Sequence, residues 1–518
     1  MYSNVLSASV CGLEATLVNV EADVGSGLPV FEMSGFLGIE VREAKERVRV
    51  AIKNSGIELK PQRIVINISP ADIRKDGTGF DLPIALAILA ANEYVNEKAL
   101  KNVLILGELS LDGSIHGVKG ILPCVYEGVK RGAFKCIVPY DNRKEAAIVE
   151  GGKILAVKNL SQVIDYLNGN IIIKEQLHGD SMQDTYYMEK NKKTEYTQDY
   201  SDIRGQYMAK RATMIAVAGM HNIIYVGTPG SGKTMMAKRI PTIMPELSYD
   251  ESLQVTKIYS VAGILDKDTG LIKKRPFRSP HHGITAAALL GGGRIPKPGE
   301  VTLAGKGVLF LDELTEFNSC ILESLRQTLE DKKITIVRLN TAYTYPADFM
   351  LAAAINPCKC GYYPDRHRCR CSEHDIRRYM GKISRPMWDR FDLCVYTETV
   401  RYIDIKENNP NKTEVQKITS ESMRKCVEKA RAVQEIRFKG RNIKFNSEMT
   451  HKDIEKYCVL DEKGEKILKE GYEKMQLTAR GYYKILKTAR TIADIEESKE
   501  ITYEHVAEAV GYRRLQIE

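Results

Sequence analysis

The sequence predicts two consecutive α/β domains followed by a helical C-terminal region. Three observations carry this. Up to about residue 167, short runs rich in Val and Ile alternate with segments of helical periodicity. From about residue 199 a second alternation begins, in which the apolar run HNIIYVG leads through a glycine-rich turn into a helix. Beyond residue 400, Lys, Glu, Ala, Leu and Ile dominate in a helical pattern. A chain of 518 residues accommodates about three domains, each long enough to bury a core.

In the first domain, LEATLVNVEADV and RIVINISPADI read as strands. VREAKERVRVAIKNSG has apolar residues at helical spacing and stops at Gly56. FDLPIALAILAANEYV reads as a buried helix, and NVLILGELSLDGSI as a strand pair turned at Asp112–Gly113. KCIVPY and KILAVKN are later strands. From 168 to 198 the chain turns polar, which predicts a linker. The second unit then spans 199–400, and 401–518 is the helical region.

Composition excludes several classes. With 43% hydrophobic and 28% charged residues, disorder throughout is excluded. No run of about eighteen apolar residues occurs, so no membrane-spanning helix is expected. The opening MYSNVLSASVCGLEATLVNVEADVG lacks a basic segment followed by an apolar block, so a secretory signal is not expected. Eleven cysteines, an odd number, do not suggest a disulfide framework, and a reducing cytoplasm is the expected compartment. The net charge of +9 gathers partly between Lys359 and Arg390, where nine basic residues face four acids. This reads as either a nucleic-acid footprint or a solvated surface.

The chemistry concentrates in the second unit. After its first strand comes Gly227-Thr228-Pro229-Gly230-Ser231-Gly232-Lys233-Thr234, then a helix. This is a complete G-x-x-x-x-G-K-[ST] phosphate loop between strand and helix. The glycines let backbone N–H groups close around phosphate oxygens, and the helix N-terminus favours the negative charge. Lys233 is placed for the β- and γ-phosphates of ATP, and Thr234 for Mg²⁺. A second strand, GVLFLDEL, delivers Asp312 and Glu313 at its C-terminal end, where parallel sheets bind ligands. Asp312 would act through the Mg²⁺ shell, and Glu313 would polarise the attacking water. A third strand, FMLAAAIN, ends at Asn356, an amide able to hold that water.

Immediately after Asn356, Cys358 and Cys360 are followed eight residues later by Cys369 and Cys371. Four thiolates can close a tetrahedral Zn²⁺ site, with His367 and His374 as substitute ligands. C-x-C is tighter than the usual spacing, and four reduced thiols in a polar loop is the alternative. The other seven cysteines read as packing.

The phosphate loop, the Asp-Glu pair, the strand-terminal Asn and the later ISRPMWDRFDL together resemble an AAA+ ATPase of the magnesium-chelatase-like branch. DYSDIRGQYMAKRATMIAVAGMHN, RPFRSPHHGITAAALLGGG and KPGEVTLAGKGVLFLDEL match that branch as well. The resemblance implies that Arg390 is an arginine finger reaching a neighbouring subunit's nucleotide, with Arg385 a nearby competitor and a surface ion pair with Asp389 or Asp392 the alternative. It implies that the C-terminal region is a helical lid in which Arg480 contacts nucleotide and Tyr482 and Tyr483 pack. It also places the hairpin in KKITIVRLNTAYTYPADFMLAA, turned at Leu339–Asn340, at a central pore. There Lys332, Lys333 and Arg338 would touch a threaded strand and Tyr343 and Tyr345 would stack on bases, unless it is an ordinary edge hairpin.

The first domain, through SPADIRKDGTGFDLPIALAILA and LDGSIHGVKGILPCVYEGVKRGAFKCIVP, resembles the Lon-protease-like α+β domain. Such proteases use a Ser–Lys dyad. Lys119 matches the lysine, but the nucleophile position falls at about Gly79, and the adjacent Thr78 is misplaced for the role. Proteolysis is therefore not expected, and a scaffold, ring-building or DNA-platform role is.

This order of domains covers nearly the whole chain and resembles the ComM/YifB family of bacterial proteins. The resemblance implies a homo-oligomeric ring, a hexamer, that acts as an ATP-driven helicase on single-stranded or branched DNA and drives branch migration in recombination and natural transformation. The competing expectation is a chelatase-type remodelling ATPase acting on a protein client or inserting metal into a partner. The motor subunits of magnesium chelatase lack the protease-like domain and the cysteine loop, which argues against magnesium chelation itself.

Overall fold

The computed structural model describes residues 1–174, 196–293, 296–338, 341–398 and 418–513. Most of the expected linker, and the junction between the expected core and the helical region, lie outside the described residues.

The N-terminal domain is built on a seven-stranded mixed sheet in the order β3-β4-β2-β1-β5-β8-β9. Its strands are β1 (Tyr2–Cys11), β2 (Glu14–Gly25), β3 (Val30–Ser34), β4 (Arg63–Ser69), β5 (Val103–Ile105), β8 (Lys135–Pro139) and β9 (Lys153–Val157). β1, β2 and β4 run antiparallel to their neighbours among these three, while β1, β5, β8 and β9 are parallel in sequence. The short hairpin β6 (Glu108–Leu109) to β7 (Ile115–His116) turns at Asp112–Gly113, as the sequence predicts, with the Asp112 carboxylate accepting from the Ser114 N–H at 2.9 Å. Helix α1 (Ile39–Asn54) buries Val41, Ala44, Val48, Ala51 and Ile52, one stripe at helical spacing. Helix α2 (Asp81–Ala91) is buried along its whole length. A helix apolar all round has to sit inside, and its one charge, Asp81, is held there by the Arg47 guanidinium at 2.8 Å.

Two further helices, α3 (Ile121–Lys130) and α4 (Arg143–Ala146), face the second unit, and α5 (Leu160–Leu167) closes the domain. Gly79 lies against the Val118 side chain, and Thr78 donates its hydroxyl proton to Glu108. Lys119 is covered from the other unit by Gly263, where a Cβ would fall 2.5 Å from the lysine side chain.

The second unit holds a five-stranded parallel sheet in the order β11-β14-β17-β10-β18. These strands are β10 (Ile223–Gly227), β11 (Phe277–Arg278), β14 (Val308–Leu311), β17 (Met350–Ile355) and β18 (Leu393–Thr397), with the small pairs β12 (Gly291–Gly292)–β13 (Lys297–Pro298) and β15 (Lys333–Arg338)–β16 (Thr341–Pro346) between them in the chain. All four neighbouring pairs in the sheet are parallel. β14, β17 and β10 are buried on both faces, which is why their sequences read as unbroken apolar runs. Ile223 and Tyr225 enter one cluster, and Ile224 and Val226 the other. The first cluster also takes in α6 (Tyr207–Gly219).

That same cluster continues into the C-terminal helices. α12 (Ser420–Arg437), α13 (His451–Tyr457), α14 (Glu462–Lys474), α15 (Ala479–Ile495) and α16 (Tyr503–Gly511) contribute Val427, Ala430, Ile454, Leu468, Ile485, Ala489, Ile492 and Val506. Helices α7 (Lys233–Lys238), α8 (Tyr249–Ala262), α9 (Ser319–Asp331), α10 (Glu373–Met380) and α11 (Arg385–Trp388) belong to the second unit. The helical region thus shares one core with the parallel sheet. Among the described residues no helix is long and apolar enough to cross a membrane.

The N-terminal domain docks on α8 and the loop after it. The Gly120 N–H donates to the Ser260 carbonyl at 3.1 Å, and the Ser260 hydroxyl donates to the buried Glu145 carboxylate. Desolvation raises the Glu145 pKa, against the hydrogen bonds from Ser260, Asn142 and the Leu122 N–H. Lys257 sits 3.7 Å over the Tyr126 ring, Leu253 and Leu271 pack into the domain's apolar cluster, and Lys144–Asp268 and Lys267–Asp141 pair at 3.0 and 2.7 Å around the rim.

Candidate nucleotide site

The glycine-rich turn opens from the end of β10, the penultimate strand of the sheet. Its geometry requires its glycines. Gly230 and Gly232 have φ of +77° and +88°, and a Cβ on Gly227 would fall 2.0 Å from the Thr397 hydroxyl on β18. Ser231 closes the turn on itself, donating to the Thr228 carbonyl at 2.8 Å. Gln206, just before α6, reaches the Ser231 carbonyl at 3.2 Å and ties the entry segment to the turn.

Three sheet strands bring the expected polar residues together. Lys233 Nζ donates to the carbonyls of Gly227 and Thr228 at 2.7 and 2.9 Å and to Asn356 Oδ1 at 3.1 Å. Asn356 follows β17, the neighbour of β10. Burial brings the Lys233 pKa down to about 8, against the carboxylates of Asp312 and Glu313. Thr234 Oγ1 donates to Asp312 Oδ2 at 2.8 Å, so a hydroxyl and a carboxylate sit side by side at the strand ends. Hard oxygen donors of this kind fit Mg²⁺. Glu313 follows with φ of +52° and a side chain 58% exposed, turned off the strand end towards open space.

His282 joins the site beside Glu313 without any sequence motif that marks it. Its Nδ1 lies 3.7 Å from Glu313 Oε2, its ring stacks on His281 at 4.0 Å, and it meets the edge of Phe317. The pair of histidines in SPHHG was visible, but its contact with Glu313 depends on β11 pairing beside β14.

Arg390 and Arg480 stand together, away from Lys233 and Thr234 in every contact they make. Arg390 pairs with Glu330 near the end of α9, and Arg480 reaches the same Glu330 carboxylate at 3.2 Å. Neither Asp389 nor Asp392 is the partner of Arg390. Asp389 faces Arg513 at 3.7 Å and Asp392 faces Lys484 at 2.9 Å. Burial presses the Arg390 pKa down, Glu330 opposes this, and its Nε is buried with no hydrogen-bond partner.

The hairpin β15–β16 forms, with Lys333 paired to Pro346 and Ile336 to Tyr343. Its tip, Leu339 and Asn340, and the Arg338 side chain lie outside the described residues. One expectation for it, that Tyr345 stacks on bases, is corrected. Lys332 is engaged by Asp348 at 3.3 Å and by Glu448 of the C-terminal region, and Tyr345 is 1% exposed with its hydroxyl on the Pro296 carbonyl at 3.0 Å. Tyr345 is therefore closed to a threaded strand, whereas the Lys332 side chain stays 46% exposed beside its two carboxylates. Tyr343 is half-buried, with its ring 3.4 Å from where a Cβ on Gly12 would lie.

The four cysteines converge. Their sulfurs all lie within 4.8 Å of one another, with Cys358–Cys360 at 3.3 Å, Cys360–Cys369 at 3.5 Å and Cys358–Cys369 at 3.7 Å. His367 and His374 are exposed and are not part of the cluster. Against desolvation, the Tyr362 N–H and the neighbouring thiols draw Cys360 down to about 6, while desolvation and the accumulating negative charge push Cys369 up to about 12.

Three family descriptions match the chain. "Magnesium chelatase, subunit ChlI" covers residues 199–405, "Subunit ChlI of Mg-chelatase" covers 20–142, and "Magnesium chelatase, subunit ChlI C-terminal" covers 417–513. The chain is 38% identical to competence protein ComM of Haemophilus influenzae, over 99% of this chain and 97% of that one. It is 37% identical to the protein YifB of Escherichia coli over the same shares. Similarity to the magnesium-chelatase 67 kDa subunit of Chlorobaculum parvum is 26% over 30% of this chain and 23% of that one.

Proposed function

From the premise that the chain belongs to the ComM/YifB family of magnesium-chelatase-like AAA+ proteins, we propose that it is a cytoplasmic ATP hydrolase working as a homo-oligomeric ring, a hexamer, that drives branch migration of DNA in recombination and natural transformation. The observation that carries the ATPase reading is the joined network at the strand ends, in which Lys233 binds Asn356 and Thr234 binds Asp312. The DNA reading is supported by the ComM likeness over nearly the full length and by the exposed cations around the cysteine loop.

In this reading the backbone of Gly227–Thr234 encloses the phosphates, and Lys233 leaves its carbonyl partners for the β- and γ-phosphates. Thr234 and Asp312 would hold Mg²⁺, which supplies charge neutralisation for the transferred phosphoryl group. Glu313 accepts the proton of the attacking water, Asn356 orients that water once Lys233 has moved, and His282 steadies the Glu313 carboxylate. Arg390 and Arg480 serve the neighbouring subunit's nucleotide as a pair. Glu330 neutralises them until a more strongly charged triphosphate competes for both. The N-terminal domain acts as a docked platform, its Lys119 covered and its Gly79 without a nucleophile.

The test is ATP hydrolysis without DNA, with single-stranded DNA and with a four-way junction, with Glu313→Gln as the inactive control and the junction products followed in the same tubes. Stimulation by DNA with ATP-dependent resolution of the junction into duplexes is expected. Hydrolysis indifferent to every DNA would refute the DNA reading and point to a protein client.

A further inference from the structure

We propose that Cys358, Cys360, Cys369 and Cys371 form a closed tetrathiolate zinc site whose folded knuckle braces the phosphate loop, so that zinc and nucleotide bind cooperatively. The nucleotide half of this rests on the ATPase reading above; the metal half does not.

The metal half begins with distance. A tetrahedral zinc with Zn–S bonds of about 2.3 Å sets its sulfurs about 3.8 Å apart. Three of the sulfur separations, 3.3, 3.5 and 3.7 Å, approach that value and are too long for a disulfide, whose S–S bond is about 2.05 Å. Four soft sulfur donors select zinc over the hard Mg²⁺ of the nucleotide site. Four protein ligands leave no open position, which makes the site structural rather than catalytic. Asp365, between the two cysteine pairs, accepts from the Cys369 N–H at 2.8 Å through its carbonyl and holds the second pair in place. Cys358 and Cys369 are buried. The loop between the cysteine pairs is fastened from outside, with Arg366 donating to the Cys371 carbonyl at 3.0 Å and stacking 5.0 Å over Tyr363, and Arg368 stacking 5.0 Å over Tyr362.

The brace follows from two contacts. Asn356, which holds Lys233, stands two residues before the first ligand. Gly361, one residue after the second ligand, has φ of +84° and lies so close to the phosphate loop that a Cβ there would sit 2.6 Å from Pro229 Cδ. The same knuckle therefore sets one residue that holds Lys233 and one wall of the turn that encloses phosphate. A site that folds on zinc orders both before nucleotide arrives, and by linkage each ligand raises the affinity of the other by the same factor.

The experiment uses the full chain purified without chelator. Mass spectrometry should find about one zinc per chain, and cobalt substitution should give the absorption of tetrahedral thiolate ligation. Binding of a fluorescent ATP analogue is then measured on three proteins. Cys360→Ser/Cys371→Ser should lose the metal and bind nucleotide roughly tenfold more weakly. Gly361→Ala should keep zinc yet weaken nucleotide by a similar factor, which separates the brace from a general failure to fold. Trp388, packed in the same apolar cluster as Cys360 and Cys371, reports folding in each. Absence of zinc with no cobalt uptake overturns the site. Zinc bound but nucleotide affinity unchanged in both variants overturns the brace. Zinc bound with no nucleotide binding by the unaltered protein overturns the brace through the ATPase reading, leaving the metal site standing.

Discussion

Acid should loosen this protein through one buried histidine. His221 lies between α6 and β10, its Nε2 2.8 Å from the Thr491 hydroxyl on α15 and its Nδ1 buried without a hydrogen bond. The groups facing it are Asp392 at 3.9 Å and the ammoniums of Lys484 and Lys487. Burial brings its pKa down to about 4, against Asp392 and with the two lysines. The unfolded chain's histidine titrates near 6.5, so between these values the unfolded state binds the extra proton and stability falls as pH falls. Integrated from about pH 7 to about pH 5, the loss from this one group is about 2 kcal/mol. The assay is urea unfolding followed by Trp388, the sole tryptophan of the chain, which lies in the same α/β unit as His221. The unaltered protein should lose about 2 kcal/mol more than His221→Gln over that interval, since the carboxylates that also titrate are common to both. Equal losses in the two proteins would refute the argument.

Further predictions concern the ATPase. Arg390→Ala and Lys233→Ala should each lower turnover on the order of a thousandfold, the first with ATP binding intact. Mixed in equal amounts they should recover activity at about a quarter of the interfaces, where an intact phosphate loop meets an intact arginine; no recovery would mean that Arg390 does not act across subunits. His282→Ala should lower kcat about tenfold with KM nearly unchanged, because it loosens the carboxylate of Glu313 without touching the phosphate loop. A matching rise in KM would place His282 in binding instead. Glu330→Gln should leave the monomer folded and raise turnover of the assembled ring at low ATP, since one competitor for Arg390 and Arg480 is weakened; a fall would count against the exchange of partners.

The parts of the site that were legible are those where chemistry is contiguous in the chain. A loop that encloses phosphate does so with consecutive N–H groups, so the pattern of Gly227–Thr234 is readable from eight residues. Asp312–Glu313 and Asn356 end apolar runs, and a parallel sheet delivers all such ends to one edge. The illegible parts depend on pairings between distant segments. The carboxylates that hold Lys332 include Glu448, more than a hundred residues later in the chain, a pairing no local pattern announces. Tyr343 and Tyr345 share one face of β16 by alternation, but only the fold shows that the end carrying Tyr345 is sealed by Pro296. Arg390 and Arg480 belong to separate motifs, and their common partner Glu330 lies on a helix that neither motif includes.

The docking of the N-terminal domain on α8 makes peptide continuity there dispensable. Ser260 and Glu145 meet in a buried hydrogen bond, Leu253 and Leu271 enter the partner's apolar cluster, and Lys144–Asp268 and Lys267–Asp141 fasten the edges. All of these contacts are made by residues outside the interval 175–195, so a chain cut within it should behave on a sizing column as one particle. The gene could then be divided at that point and its halves expressed separately, giving a means to label, exchange or withhold the N-terminal domain while the rest of the chain is left as it is.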